Sequence, residues 1–390
     1  MASILTKQKS IVIFLVIMLI STTTASIWIS IWHAQNKHRF RGEIVISSDS
    51  DFKRRYNLPG SGTESDPYRL EFLQINTTKD YGIKISDTKS YFVIRNCTIQ
   101  AIDDAIIIND VSYGTALICN NTLISTAFGI QVNRSPGVSI KNNNCKFGFV
   151  GIILTNCKNS TILSNYCINA TYGISLRGNI SNSIIQNNFL SGHSNFGIHY
   201  DFWDGVSYNF FHNYNVLIRN NTCILNNVGI KIDAYLDLPT IVDSKFIVES
   251  NNCSFNKYSG IGISSHYALL KNNYCGFNEA GISISYSHNS TIIENHLRNN
   301  TSFGISISHS SGSIFYHNNF FNNNVDGPIL MDAQAKDDST VNSYFGQNTW
   351  FNSLINEGNF WSELVWVPGI TYDISGSNNT DLYPLQNPYE

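Results

Sequence analysis

The chain has 390 residues, 42% of them hydrophobic and 14% charged, with a net charge of −3. That apolar fraction excludes wholesale disorder, and the near-neutral charge leaves no basic footprint for nucleic acid. Asparagine supplies 50 residues; it is depleted in strands and favoured in turns, so its abundance beside isoleucine implies many short strands joined by tight turns.

At the amino terminus, Lys7 and Lys9 precede the apolar run Ile11 to Ile20, and no charge occurs between residues 11 and 32. The stretch suits the apolar core of a signal peptide, with Thr23-Thr24-Ala25 as a small-residue cleavage site, and is also long enough to span a bilayer. Residues 1–32 are therefore read as a signal segment or transmembrane anchor, a hydrophobic helix in either case. Both readings imply export, to the extracellular space or the outer face of the cell membrane, and leave cleavage or anchoring open. Membrane contact is expected through this segment alone. Residues 33–68 follow as a linker and N-terminal cap.

From residue 69 to 330 one small unit repeats. Glycine before isoleucine opens a short alternating strand at Gly82, Gly129, Gly151, Gly173, Gly197, Gly229, Gly281 and Gly304, with variants at Ala105 and Gly260. Most steps are 21 to 24 residues, and two exceed 30. Between successive glycines lies a second strand ending in asparagine, as in VSIKNN and ALLKNN. A period near 22 without helical patterning marks an all-β, single-stranded parallel β-helix, here of about ten to twelve coils. Alternating isoleucines place one face of each strand in a continuous apolar column.

Two further columns follow from the alignment. Cys145, Cys167, Cys223, Cys253 and Cys275 share one slot, within a residue, with Leu123, Leu190, Leu297 and Phe321 in other coils. A slot that accepts Cys, Leu or Phe is an inward core site, so reduced, packed thiols are expected. No CxxC pair is present to hold zinc. Two residues earlier runs an asparagine column, Asn121, Asn143, Asn165, Asn188, Asn221, Asn251, Asn273, Asn295 and Asn319, suited to pass amide hydrogen bonds from coil to coil.

The two long coils carry their extra residues in the same connection, His199 to Asn215 and Asp233 to Lys245. Loops on consecutive coils project from one side, which gathers Tyr200, Phe202, Trp203, Tyr208 and Tyr235 beside Asp201, Asp204, Asp233 and Asp237. Aromatic rings with polar neighbours suit sugar binding. Elsewhere carboxylates are sparse: none occurs from residue 111 to 200, which disfavours a two-carboxylate hydrolase site on those coils. His266, His288 and His309 recur 22 and 21 residues apart, the alternative set for a metal such as copper, though they do not share an offset from their strands. Residues 331–390, with Trp350, Phe360, Trp361 and Trp366, fit a lid over the exposed end of the apolar column.

The repeat pattern xGIxhxxSxxxxIxxNN, the loop LPGSGTESDPYRLE (Leu58 to Glu71) and the closing segments GNFWSELV (Gly358 to Val365) and YDISGSNNTDLYPL (Tyr372 to Leu385) resemble the NosD-like group of right-handed parallel β-helix proteins, the carbohydrate-binding and sugar-hydrolysis domains. The resemblance spans residues 44 to 386 and implies a right-handed helix. It departs where ELVWVPGIT replaces the group's acidic DxDGDGxGD stretch, which weakens a metal role there. The resemblance also brings a copper association as one alternative. The expectation is an exported cell-surface protein that binds or presents a surface to glycans without cofactor, through Tyr200, Phe202, Trp203, Tyr208 and Tyr235. A polysaccharide lyase or hydrolase using Asp201, Asp204, Asp233 and Asp237 is the enzymatic alternative, and a structural spacer the third. The protein partner is not specified.

Overall fold

A computed structural model describes residues 39–40, 42–202, 215–234, 245–324, 333–339, 346–376 and 379–390. The apolar segment expected as a helix within residues 1–32, together with Trp203, Asp204, Tyr208, Tyr235 and Asp237, lies outside the described residues. Among the described residues no helix is long and apolar enough to cross a membrane.

Each coil begins with a six-residue strand such as Tyr172–Arg177, continues into a short strand such as Ile184–Gln186, and closes on another, Phe189–Ser191. These three positions define three faces. Among the described residues, thirteen strands stack on the first face, eleven on the second, and the third holds sheets of eight and four. Bridges Thr222–Asn252 and Asn252–Tyr274 span the gap between those two sheets. The described residues form a right-handed parallel β-solenoid of about ten turns, all-β among them apart from the short helix Asp51–Arg54.

Strict register produces the core. Ile130, Ile152, Ile174, Ile198, Ile230, Ile261 and Ile282 pair in sequence up the first face, all with no solvent exposure. The glycine before each isoleucine has a packing cause, clear at Gly197: a Cβ there would sit 2.5 Å from the Gly229 carbonyl oxygen and 3.2 Å from Cys223 Cβ. The inward cysteines are buried, Cys253 and Cys275 with zero exposure, and all eight cysteines are unpaired. Burial pushes the Cys97 thiol up to about 12 and Cys157 to about 11, which leaves them without thiolate reactivity.

The paired asparagines divide two tasks. The first of each pair bends the chain: Asn120, Asn142, Asn187, Asn220 and Asn272 all hold φ between 52° and 57°, the left-handed region that asparagine tolerates. The second points inward and forms the ladder. Asn143 Nδ2 donates to Asn165 Oδ1 at 3.0 Å and to the Ile118 carbonyl at 3.0 Å. Asn143 Oδ1 in turn accepts from Asn121 Nδ2 at 2.9 Å. At the far end the ladder runs through Asn318, not Asn319, and ends on Asn359. Asn319, the second asparagine of its pair and so the one expected in the column, pairs instead with the backbone of Tyr389.

A second inward ladder, not anticipated from the sequence, turns the chain from the third face to the first: Asn226, Asn256, Asn278, Asn300 and Asn323, ending on Gln334. Both ends of the column are covered by rings. Phe52 stacks on Tyr68 with centroids 4.5 Å apart. At the other end Trp350 stacks on Phe315 at 4.4 Å, Trp361 on Phe320 at 4.1 Å, and Tyr372 on Trp361 at 3.8 Å.

Candidate functional site

On the first face three columns lie outward, the second and third of them by strand alternation. Across the coils Tyr172–Arg177, Phe196–Asp201 and Val228–Asp233 these are Tyr172, Phe196 and Val228; Ser175, His199 and Lys231; and Arg177, Asp201 and Asp233. The two insertions leave this face side by side. Phe202 N–H donates to the Asp233 carbonyl at 3.3 Å where they begin, and Val216 N–H to the Lys245 carbonyl at 3.1 Å where the chain returns. The patch thus sits where the solenoid departs from its plain repeat.

Its rings form a continuous run. Phe128 meets Phe149 at 6.4 Å, Phe149 meets Tyr172 at 5.4 Å, Tyr172 meets Phe196 at 5.6 Å, and Phe196 meets the His199 ring at 4.7 Å. All four contacts are edge-to-face or tilted, as the aromatic quadrupole favours. Phe149 is 45% exposed, whereas Tyr172 and Phe196 are half-buried.

The run ends in charge. His199 Nε2 lies 3.2 Å from Asp233 Oδ2, and Lys231 Nζ lies 2.8 Å from Asp233 Oδ1. Burial raises the Asp233 carboxyl, but the His199 hydrogen bond and the Lys231 charge and hydrogen bond outweigh it and hold the group below its ordinary value. Asp233 is therefore ionised at neutral pH, and its oxygen fixes the imidazole proton on Nε2. Next along, Gly262 gives the Lys231 chain room: a Cβ at that glycine would lie 3.1 Å from Lys231 Cδ.

The expected site residues divide sharply. Asp201 and Asp233 are neighbours in register on the patch. Tyr200 is corrected: its place between Leu176 and Ile232 turns it into the core, where it has no exposure, and its hydroxyl donates to the Gly178 carbonyl at 3.2 Å. A ring buried there cannot stack on a sugar. Phe202 is half-buried and packs against the core. The proposed metal histidines do not converge. His266 and His288 stack at 5.0 Å, but His309 stacks on Tyr286 at 4.8 Å. The Nδ1 atoms of His266 and His288 accept backbone N–H groups, from His288 and Ser311 respectively, each at 3.0 Å. Among the described residues no three or more His, Cys, Asp or Glu side chains are placed to hold a metal ion.

Sequence reasoning missed Tyr172, Ser175, Arg177, His199 and Lys231. The signal was present in FGIHYD, VGIKID and YGISLR: reading the outward positions across aligned coils, as the inward ones were read, would have drawn these residues together. Attention to the insertions alone overlooked the sheet beside them.

A family model described as "Periplasmic copper-binding protein (NosD)" matches residues 63–209 and 197–365. Among solved structures, the Dettilon tailspike protein (gp208) is similar at 15% identity with a TM-score of 0.55, over 73% of this chain and 59% of that one. The Azotobacter vinelandii mannuronan C-5 epimerase AlgE4 A-module is 10% identical with a TM-score of 0.45, over 81% of this chain and 86% of that one. The periplasmic alginate epimerase AlgG is 15% identical with a TM-score of 0.42, over 77% and 82% respectively. At such identities the tailspike likeness speaks for the fold alone. Comparison with curated proteins finds no match.

Proposed function

This chain belongs to the family described as periplasmic copper-binding protein (NosD), and from that premise we propose that it is an exported β-solenoid that binds glycans on its first face, over Tyr172, Phe196 and His199. The observation that carries this reading is the unbroken ring run from Phe128 to His199, ending against Lys231 and Asp233. Saccharide sites combine aromatic faces for the C–H surfaces of the sugar with a few placed polar groups for its hydroxyls. An address outside the cytoplasm goes with the apolar segment at residues 11–32 and with the periplasmic description of the family.

Two competing readings fare less well. Copper favours imidazole and soft sulfur ligands, but the described histidines do not converge and the inward thiols are sealed in the core. The described residues therefore do not fit a copper centre, and no step is derived through one. For glycoside hydrolysis one carboxyl of a pair must be protonated to act as acid. Asp233, held ionised by His199 and Lys231, is unsuited to that part.

The intact chain applied to a broad glycan array should bind at least one polysaccharide class. Phe149→Ala should weaken that binding by about fivefold or more, the scale of one stacking contact, with little change in melting temperature because the ring is largely exposed. An array with no bound glycan removes the reading.

A further inference from the structure

Each asparagine of the second inward ladder is preceded by a residue on the outside of the same turn, held in the left-handed region. In the coils on either side this residue is one that tolerates such backbone: Gly192 before His193, then Asn299 and Asn322. Between them three consecutive coils carry Leu225, Phe255 and Phe277 instead, each at φ of 58°. Left-handed backbone disfavours any side chain with a Cβ, asparagine least. These three gain no burial in exchange: Leu225 is 61% exposed, Phe255 54% and Phe277 43%. Neither backbone preference nor the core of a single chain accounts for them, and a run of exposed apolar side chains along one edge marks a contact surface.

Ring geometry and the charges beside it specify the occupant. Phe255 and Phe277 stack at 4.8 Å with planes 2° apart. That is the spacing of the coils themselves, about 4.8 Å, so the rings lie across the solenoid axis and turn their edges outward. Sugars stack on open ring faces, and two of the faces here are closed on each other. Two residues beyond the ridge stand Lys257 and Glu279, both exposed, with the uncharged Asn227 and Thr301 before and after them in that column. Neither charge joins an ion pair among the described residues. Opposite charges one coil apart on a single edge are self-complementary. A second copy, related by a two-fold axis that crosses between the coils of Phe255 and Phe277, runs with its solenoid reversed. Phe255 then faces Phe277 of that copy, and Lys257 faces its Glu279, each contact occurring twice as an isologous interface requires. A two-fold axis along the solenoid would leave Lys257 without an opposite charge.

We propose that this ridge is the contact of an antiparallel homodimer, with Phe255 and Phe277 at its centre and the Lys257–Glu279 pairs at its rim. From Leu225 to Phe277 the ridge is only about 10 Å long, a small contact beside the roughly 800 Å² per partner of a standard interface. The dimer is therefore weak, with a dissociation constant on the order of 10–100 μM. It is independent of the glycan-binding reading.

Sedimentation equilibrium of the intact chain in a non-ionic detergent, over concentrations spanning that range, should show monomer and dimer in exchange. Phe255→Asn with Phe277→Asn installs the residue type that the next coils use. It should weaken the dimer by about tenfold or more without lowering the melting temperature. Lys257→Glu and Glu279→Lys should each weaken self-association by about tenfold, because each homodimer then holds two like-charged rim contacts. An equimolar mixture of these two variants should dimerise as the parent does, since every rim contact is again of opposite sign. A monomer at all concentrations overturns the proposal; if the ridge variants then also lose glycan binding, the ridge belongs to the glycan site. A dimer unchanged by the asparagine variants has its interface elsewhere and overturns it too. A mixture that fails to recover overturns the antiparallel pairing.

Discussion

His193 shows how one residue can keep a ladder intact and still give it a weakness. It occupies the coil above Asn226 in the second inward ladder and copies an asparagine atom for atom. Its Nδ1 accepts the Ala170 N–H at 3.2 Å, as an amide oxygen would, and its Nε2–H donates to the Cys167 carbonyl at 3.1 Å, as an amide nitrogen would. Only the neutral ring can do this. Burial pushes its pKa down to about 4, against about 6.5 in an unfolded chain. The sign follows from proton counting. Between these values the unfolded chain binds a proton that the folded one refuses, so stability is full above pH 6.5 and falls as pH drops toward 4. The loss amounts to about 3 kcal/mol at roughly 1.4 kcal/mol per unit. His193→Asn should keep stability at pH 7 within about 1 kcal/mol and remove most of the additional loss at pH 4.5, measured by urea unfolding at both values. Equal acid sensitivity in the variant would show that the ring is not the titrating weak point.

At the scale of the element, the asparagine pair at each corner makes two separable contributions. Asn142 holds φ of 54° on the exposed outside of the turn, so Asn142→Ala should cost about 1–2 kcal/mol through left-handed backbone strain, and Asn142→Gly almost nothing. Asn143 is buried and joins the coils on both sides. Asn143→Ala strands the Asn121 amide and N–H and the Ile118 carbonyl, leaves the Asn165 amide oxygen only the backbone N–H of residue 143, and should cost on the order of 4 kcal/mol. Denaturant titration of the three variants separates the costs. This corner also shows why the fold was legible in the sequence. Each coil repeats the same backbone event, so the same residue types recur at one spacing, and ten copies expose glycine, isoleucine, cysteine and asparagine as columns. The proposed binding patch does not repeat. His199 appears once, in a column that other coils fill with Gln131, Ile153 or Ser283, and Arg177 once, in a column that holds Asn133 and Thr155, and periodicity says nothing about residues that differ from coil to coil. Tyr200 misled for a related reason: beside Asp201 in sequence it looked like its partner, but alternation sends neighbours to opposite sides of the sheet.

For the molecule as a whole, the solenoid is nearly one-dimensional: each coil touches only the next, so its stability is a sum of local terms and its ends are the weak points. The carboxyl-terminal lid meets that problem with Trp361, 1% exposed, sandwiched between Phe320 and Tyr372. Its indole Nε1 donates to Asp381 Oδ2 at 3.0 Å, the same oxygen that accepts the Asn359 N–H at 2.7 Å at the end of the asparagine ladder. Core ring and ladder therefore terminate on one carboxylate, and losing the ring opens both. Trp361→Ala should cost about 3–5 kcal/mol as a buried aromatic truncation. In a linear stack that cost falls on the nearest coils rather than on the whole protein. Hydrogen exchange should therefore show lost protection in Ile305–Ser308 and Asn319–Phe321, with strands such as Val150–Thr155 and Tyr172–Arg177 retaining theirs. The first-face patch lies among those retained coils, so glycan binding should survive the substitution. Uniform loss of protection from end to end would mean that the coils unfold as one cooperative body, and that the lid guards the whole stack.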